Sequence, residues 1–287
     1  MPNVSFEFFP PKSLAGSFRL WDCVKTLAPL DPTFVSVTYG AGGTTRKLTH
    51  EAVTTLHKET GLRVAAHLTC VDATRAETLQ IAQDYADAGV TDIVALRGDA
   101  PKGAASFTPH NDGFQSSIDL IGTLRDAGPF NISVGAYPEK HPEAADTAAD
   151  IAFLKRKIDV GATQAITQFF FEADTFFRFR DACTKAGITA PIIPGILPIE
   201  NWAGTQKFAR SCGATIPALI ADAFHNAARD NTTDLLATAL ATELCDDLLT
   251  GGVEQLHFYT LNKPELTRNI CHALGITPKT GRLQNVA

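Results

Sequence analysis

Single polar residues able to do acid–base or binding chemistry follow short apolar runs at several points of the chain. These residues are Glu7, Thr38, His67, Arg97, Tyr137 and Gln168. Continuous apolar runs of this length are typical of parallel strands that are buried on both faces. Polar residues at the carboxyl ends of such strands form the active sites of (β/α)8 barrels. The sequence therefore predicts both a barrel and the face on which its chemistry takes place.

Glu7 is the strongest candidate for proton transfer. It lies between Phe6 and Phe8, and a pair of prolines follows at residues 10–11. A carboxylate surrounded by aromatic side chains loses hydration, which raises its pKa and suits a general acid. The alternative interpretation is a solvated glutamate at a strand end.

The segment Arg97-Gly98-Asp99 combines three properties that are useful for ligand binding. Arginine offers parallel donors to a phosphate or carboxylate, glycine lets the backbone approach a ligand, and aspartate stabilises positive charge. An ordinary surface ion pair between Arg97 and Asp99 is the alternative.

Three further features are weaker signals. A lone strand-end histidine such as His67 is as compatible with a structural role as with ligand binding. The amide of Gln168 can contact the hydrogen-bonding edge of a ligand. The charge run at residues 155–157 indicates, on its own, a solvated helix face.

The sequence contains no Ser-His-Asp order, no CxxC pair and no cluster with metal-ligand spacing. We therefore predict no metal site. The predicted barrel mouth is rich in aromatic and single polar groups and poor in nucleophiles. This composition favours a large flat cofactor that carries the chemistry itself.

Eight strands are predicted, with helical patterns between them. The strands lie near residues 4–9, 34–38, 63–68, 92–96, 131–136, 164–168, 191–195 and 255–259. The clearest helical patterns cover residues 50–60, 76–88, 144–160 and 176–186, each followed directly by a glycine. This alternation predicts an α/β protein with one (β/α)8 (TIM) barrel domain over residues 1–287 and a loosely ordered tail after about residue 277.

An open doubly wound sheet is the alternative fold. Such sheets often carry G-x-G-x-x-G after their first strand. Here the glycine run at residues 40–43 follows the second strand, and Thr45 occupies the place of the third glycine. The pattern therefore disfavours a dinucleotide site of that kind.

Composition narrows the class of partner. The chain has 287 residues and a formal net charge of -6, so it offers no basic field for nucleic acid. No apolar stretch approaches the roughly 20 residues of a membrane span, and no signal peptide precedes the first strand. We expect a cytoplasmic protein in which the six scattered cysteines are reduced thiols.

Taken together, the motifs closely resemble those of bacterial single-domain 5,10-methylenetetrahydrofolate reductases. The matching stretches occur in family order at residues 4–12, 35–46, 67–70, 96–99, 136–144, 155–157, 165–171, 194–198 and 257–262. The resemblance implies a barrel that binds FAD non-covalently and takes electrons from NADH or NADPH. The flavin then reduces 5,10-methylenetetrahydrofolate to 5-methyltetrahydrofolate in a ping-pong reaction of one-carbon metabolism. The resemblance also implies a homo-oligomer.

The resemblance assigns roles to individual positions. Glu7 is implied as the general acid at folate N10, and Asp99 as the group that stabilises the resulting iminium cation and tunes the flavin. Gln168, Phe208 and Lys263 are implied as substrate-binding residues. The implied cofactor-binding residues are Thr38, Tyr39, Ala41, His67, Arg97, Gly98, Asp99, Tyr137, His141, Ala144, Asp150, Arg156 and Lys157. The residues at 156–157 are thereby reassigned from a solvated face to the FAD phosphates.

Three positions depart from the family pattern. Phe153 stands where the family often has asparagine beside the flavin, Gly204 where a glutamine often assists the substrate, and Lys263 where arginine is expected. Lysine keeps the charge of arginine but loses its two parallel donors. The chain ends soon after the eighth predicted strand, so we expect no regulatory domain and no feedback by S-adenosylmethionine.

Two other functions stay open. One is a flavin-free reductase of the same fold, for which Phe153 is the sequence hint. The other is a folate- or flavin-binding protein without turnover, against which the presence of both Glu7 and Asp99 argues.

Overall fold

The computed structural model describes residues 2–39, 46–98 and 107–279. Within these ranges nine parallel strands form one sheet that curls into a barrel, with β1 paired to both β2 and β9. The strands are β1 (Asn3–Phe8), β2 (Phe34–Val37), β3 (Val64–Thr69), β4 (Asp92–Leu96), β5 (Asn131–Ala136), β6 (Gln164–Thr167), β7 (Ile192–Ile193), β8 (Gly195–Ile196) and β9 (Gln255–Tyr259). The predicted (β/α)8 architecture is confirmed.

The seventh predicted strand is divided in two, which corrects the single strand expected at residues 191–195. β7 pairs with β6, whereas β8 pairs with β9. Pro194 separates them because proline has no N–H to donate to a ladder. Its carbonyl still accepts the N–H of His257 at 3.0 Å. The two short strands therefore act as one interrupted member of an eight-membered barrel.

Helices cover the outside of the barrel. They are α1 (Leu14–Leu27), α2 (Arg46–Thr60), α3 (Arg75–Asp87), α4 (Ser117–Ala127), α5 (Thr147–Asp159), α6 (Ala173–Lys185), α7 (Trp202–Cys212), α8 (Ala218–Asp230), α9 (Thr233–Thr250) and α10 (Pro264–Ala273). The predicted helices are all present, but α5 begins three residues later than expected. Asp146 caps it by accepting the N–H of Ala149, and this local bond fixes the start.

The barrel strands have apolar side chains on both faces, as the continuous apolar runs predicted. Phe6, Val37, Val134 and Phe258 are almost completely buried. Each such side chain contributes about 1.5–3 kcal/mol through burial. Because both faces of the strands are packed, the strand ends are held firmly at the mouth of the barrel.

Polar residues occupy a few interior positions. Ser5, Ser36, Ser133 and His257 are buried inside the barrel. The hydroxyl of Ser5 and Nδ1 of His257 share a hydrogen bond of 2.8 Å, and Ser133 accepts one from Gln164. Such groups are costly to bury without partners, so the bonds fix their orientation.

Beyond the barrel, the backbone N–H of Lys279 donates to the carbonyl of Pro29. The rest of the predicted loose tail lies outside the described residues. In the part of the chain that is described, no helix combines the length and apolar character needed to cross a membrane.

Candidate active site

Glu7 meets two imidazoles at the mouth of the barrel. Its Oε2 lies 3.1 Å from Nε2 of His67 on β3 and 3.7 Å from Nε2 of His257 on β9. Ser36 on β2 donates to the same oxygen at 3.3 Å. Both Nε2 atoms are buried without another hydrogen-bond partner in the described chain. The Glu7 carboxylate is therefore the polar group nearest to the buried Nε2 atoms of both histidines.

The expected rise in the pKa of Glu7 is wrong. Burial does raise the pKa of this carboxyl, but the charge of His67 and the hydrogen-bonding contacts of His257 and His67 outweigh burial and lower it to about 2. The prediction considered only the aromatic neighbours of Glu7 in the sequence. Both histidines lie on strands that are distant in the sequence, so their effect on the pKa was not foreseen. Glu7 is thus an ionised carboxylate beside two imidazoles.

The backbone around Glu7 is fixed by the neighbouring strand ends. The hydroxyl of Thr260 donates to the Glu7 carbonyl at 2.7 Å, and the N–H of Thr38 donates to the Phe8 carbonyl at 2.9 Å. Thr38 also accepts the hydroxyl hydrogen of Thr49 through its carbonyl. These bonds hold Glu7 and Thr38 at adjacent positions of the same mouth.

A cavity of about 400 Å³ is lined by residues at and after the carboxyl ends of several strands, among them Tyr39, Thr69 and Tyr137. Its volume falls within the usual range of small-molecule sites, about 300–1,000 Å³. The structure brings many of the proposed cofactor residues together in its walls, namely Tyr39, Arg97, Gly98, Tyr137, His141, Ala144, Asp150, Arg156 and Lys157. His67 on β3 and Thr38, which follows β2, are not among the residues that line this cavity.

Arg97 is held by a carboxylate on the rim of the cavity. Its two terminal nitrogens lie 2.5 and 3.0 Å from the oxygens of Glu143, and its guanidinium lies 5.1 Å from the ring centre of Phe107. Arg97 lowers the pKa of the Glu143 carboxyl by hydrogen bonding. The planar guanidinium is thereby held in the wall of the cavity.

The loop after β5 presents two rings to the cavity. Tyr137 packs edge-on against His141 with ring centres 4.6 Å apart. The backbone N–H of His141 donates to Asp150 on α5 at 2.8 Å. Burial, followed by the charge of Arg97, lowers the pKa of His141. An imidazole ring at this point can pack against a flat ligand.

Lys157 is a buried cation in the cavity wall. Its Nζ donates to the carbonyl of Gly135 at 2.6 Å and lies 5.2 Å from the ring centre of Phe153. Arg156, on the same turn of α5, lies 5.1 Å from that ring. Burial lowers the pKa of Lys157 to about 8, with Asp150 acting in the opposite direction. An anionic ligand would compensate this cation.

The lowered pKa of Lys157 predicts a pH-dependent affinity for an anionic ligand. The ammonium form binds the anion, so affinity is retained below about pH 8 and lost above it, by up to about tenfold per pH unit. We expect the Kd of FAD to rise in this way between about pH 7.5 and 9.5. Lys157→Arg should abolish the rise because arginine stays charged. A pH-independent Kd in the unmodified protein would contradict the assignment.

Gly98 has a backbone conformation that other residues rarely adopt. Its φ is +87°, and a Cβ there would lie 2.3 Å from Cγ2 of Val71. We expect Gly98→Ala to lower the free energy of unfolding by about 1–3 kcal/mol and to weaken FAD binding. Gly122→Ala in α4 is the control, since its Cβ meets nothing within 4 Å and should stabilise the helix slightly. Chemical denaturation of both variants provides the comparison.

The structure connects two of the proposed substrate residues through one phenylalanine. Gln168 follows β6 and accepts the N–H of Phe169 through Oε1 at 3.0 Å. Phe169 packs against Phe208 of α7 with ring centres 5.1 Å apart. The third, Lys263, has its Nζ 3.9 Å from Oε2 of Glu200.

Two predicted residues, Ala41 and Asp99, lie outside the described residues. In the described part, the sequence reasoning missed His257, Glu143 and the first turn of α4, whose Ser116 and Ser117 line the cavity. His257 had a detectable signal, because it is a polar residue at an interior-facing position of an otherwise apolar strand. Glu143 had none, since its partner Arg97 is distant in sequence.

The fold and the site together define a (β/α)8-barrel protein with a carboxylate–imidazole cluster at the mouth of the barrel and a cavity lined in part by Arg97, Arg156 and Lys157. A profile of the methylenetetrahydrofolate reductase family matches residues 1–275. The chain therefore belongs to the methylenetetrahydrofolate reductase family.

Individual relatives agree with this assignment. The chain is 46% identical over 277 residues to the 5,10-methylenetetrahydrofolate reductase of Salmonella typhimurium, covering 96% of this chain and 92% of that protein. The Escherichia coli enzyme of the same name gives the same identity and coverage. The Arabidopsis thaliana protein named methylenetetrahydrofolate reductase (NADH) 1 is 35% identical, and the match covers 95% of this chain and 48% of the plant protein.

A solved structure supports the fold. A protein from Clostridium thermocellum, described as binding two copies of 5-methyl-5,6,7,8-tetrahydrofolic acid, superposes with a TM-score of 0.63 at 17% identity. The match covers 96% of this chain and 94% of that one.

Proposed function

We propose that this protein reduces 5,10-methylenetetrahydrofolate to 5-methyltetrahydrofolate, with NADH or NADPH as electron donor and non-covalently bound FAD as the carrier. The observation that carries the proposal is the position of Glu7. Its carboxylate lies between His67 and His257 at the mouth of the barrel, where residues after the neighbouring strands line a cavity that contains Arg156 and Lys157. This arrangement supports a coupled transfer of a hydride and a proton, with Glu7 as the proposed acid and the cavity as the proposed cofactor site.

The cavity residues fit FAD. Arg97, Arg156 and Lys157 supply positive charge for a diphosphate, and Tyr137 and His141 supply ring faces for its flat groups. The buried ammonium of Lys157 is bonded to a carbonyl rather than to a carboxylate, so an incoming phosphate would stabilise it. When bound, FAD would accept a hydride from the nicotinamide and later supply it to the folate.

Glu7 would deliver the proton that opens the folate ring at N10. Because its pKa is lowered to about 2, Glu7 is ionised at neutral pH in the ligand-free protein and must take up a proton before it can donate one. Nε2 of His67, at 3.1 Å, is the nearest source from which Glu7 can be protonated. A bound folate that excludes water would favour the neutral carboxyl, since burial already acts in that direction.

The remaining roles concern the substrate. Gln168 would contact the folate ring or the nicotinamide, Phe208 would pack on the substrate, and Lys263 would pair with its carboxylate tail. Lys263 must then exchange its 3.9 Å contact with Glu200 for the ligand. Asp99 would stabilise the cation that forms when the folate ring opens.

The proposal is tested by assaying purified protein for NADH oxidation that depends on 5,10-methylenetetrahydrofolate, before and after removal of flavin. We expect activity that disappears on stripping and returns with added FAD. Full activity in stripped protein would instead establish the flavin-free alternative. That alternative is favoured by Phe153, whose ring sits against Arg156 and Lys157 in the cavity.

A folate- or flavin-binding protein without turnover is the other alternative. Tight binding of both ligands with no methylenetetrahydrofolate-dependent oxidation of NADH or NADPH would establish it. The same assay therefore separates the three functions.

A further inference from the structure

Tyr259 spans two strands of the barrel that do not pair with each other. It is the last residue of β9, and its hydroxyl donates to the carbonyl of Thr167, the last residue of β6, at 2.6 Å. The interrupted pair β7 and β8 lies between these two strands. The tyrosine thus bridges the barrel at the point where its hydrogen-bonded ladder is broken.

Gly195 makes room for this bridge. A Cβ at this position would lie 2.1 Å from the carbonyl oxygen of Thr167 and 2.6 Å from Cε2 of Tyr259. The N–H of Gly195 donates to the hydroxyl oxygen of Thr167 at 2.9 Å. Thr167 is therefore held through both its side chain and its carbonyl.

The bridged carbonyl belongs to the peptide unit that precedes Gln168. The N–H of the same unit, that of Gln168, donates to the carbonyl of Ala136 on β5 at 2.8 Å. A planar peptide unit held at both its oxygen and its nitrogen has a fixed orientation. The position of the Gln168 Cα, from which the side chain extends, is fixed with it.

The side-chain amide of Gln168 is oriented by a further bond. Its Oε1 accepts the N–H of Phe169 at 3.0 Å. This leaves the Nε2 hydrogens as the donors that Gln168 can offer to a ligand at the mouth.

We propose that Tyr259 is a positioning residue for substrate binding, which acts by fixing the 167–168 peptide unit so that Gln168 presents Nε2 to the folate. This inference rests on the proposed function of Gln168. Burial, followed by the charge of Glu7, raises the pKa of Tyr259 well above its usual range, so the hydroxyl remains a donor at every working pH.

The test is Tyr259→Phe, measured alone and together with Gln168→Ala. Loss of one hydrogen bond should raise the KM for 5,10-methylenetetrahydrofolate by about three- to tenfold while kcat changes less than about twofold. In the Gln168→Ala background, Tyr259→Phe should have no further effect on KM. Tyr85→Phe is the matched control, since it removes a buried hydroxyl that has no partner in the described chain.

Three results would overturn the inference. These are an unchanged KM in Tyr259→Phe, an equal rise in both backgrounds, or a rise in Tyr85→Phe of the same size. The side-chain amide signal of Gln168 in an NMR spectrum, assigned by its loss in Gln168→Ala, provides a readout that needs no turnover. We expect Tyr259→Phe to shift it and Tyr85→Phe to leave it in place.

The NMR readout also separates the two claims. If the wild-type protein reduces no methylenetetrahydrofolate, the proposed function fails. The Gln168 signal then still decides whether Tyr259 fixes the amide, and an unshifted signal would refute the positioning role.

Discussion

Replacing Glu7 with glutamine is expected to slow the reduction of 5,10-methylenetetrahydrofolate by about 10²–10⁴-fold. Glutamine keeps the size and the hydrogen-bonding shape of the side chain but cannot transfer the proton to N10. Reduction of the flavin by NADH requires no such proton and should change less than about threefold. Anaerobic rapid-mixing measurements of the two half-reactions test this difference directly.

The control for this variant is Glu254→Gln, which makes the same chemical change at an exposed side chain just before β9. It should leave both half-reactions unaltered. Equal losses of both half-reactions in Glu7→Gln would show that the glutamate supports the site rather than transferring the proton. A folate half-reaction that survives intact would exclude general acid catalysis by Glu7.

Replacing Lys157 with methionine is expected to raise the Kd of FAD by about 10- to 100-fold. Methionine retains most of the apolar stem that packs in the wall, whereas the ammonium that would meet the phosphates is lost. The substitution also removes a buried charge, whose burial is costly. The free energy of unfolding should therefore fall much less than the free energy of FAD binding. Quenching of flavin fluorescence during titration of the apoprotein gives the Kd.

Lys155→Met is the matched control, two positions away on the same helix. Lys155 pairs with Asp159 one turn along α5 and is not among the residues that line the cavity. We expect its substitution to leave the Kd within about twofold of the original value, as is usual for a surface ion pair. Equal losses in the two variants would contradict a specific contact between Lys157 and the cofactor.

Much of the barrel could be predicted because buried parallel strands leave a strong local signal. The apolar runs that end at Glu7, His67 and Gln168 are β1, β3 and β6, and the glycines after the helices fall at their ends. The interruption of the seventh strand could have been foreseen from Pro194, which cannot donate to a ladder.

The properties of the site were harder to predict from the sequence, because they depend on residues that come into contact only in the folded chain. Phe6 and Phe8 predicted a dry carboxylate with a raised pKa, whereas His67 and His257 reverse the direction of the shift. The predicted barrel places the last strand beside the first, but no local pattern indicates that His257 brings a second imidazole to Glu7. The sequence predicted that the polar residues lie at the same mouth of the barrel. It could not predict which of their side chains are in contact.

The cavity likewise has features that the sequence predicts and contacts that it does not. The loop after β5 and the helix α5 could be assigned to a binding site from their motifs. The pairing of Arg97 with Glu143 could not be assigned in this way, because it joins two different strand-end loops. Contacts of this kind are set by the closure of the barrel.

The visible spectrum of the purified protein tests the central claim most directly. We expect flavin absorption, either as isolated or after addition of FAD, that bleaches with NADH or NADPH in the absence of oxygen. Addition of 5,10-methylenetetrahydrofolate should then restore the oxidised spectrum. A protein that neither contains nor takes up FAD, or a bleached flavin that the folate does not reoxidise, would contradict the proposed function.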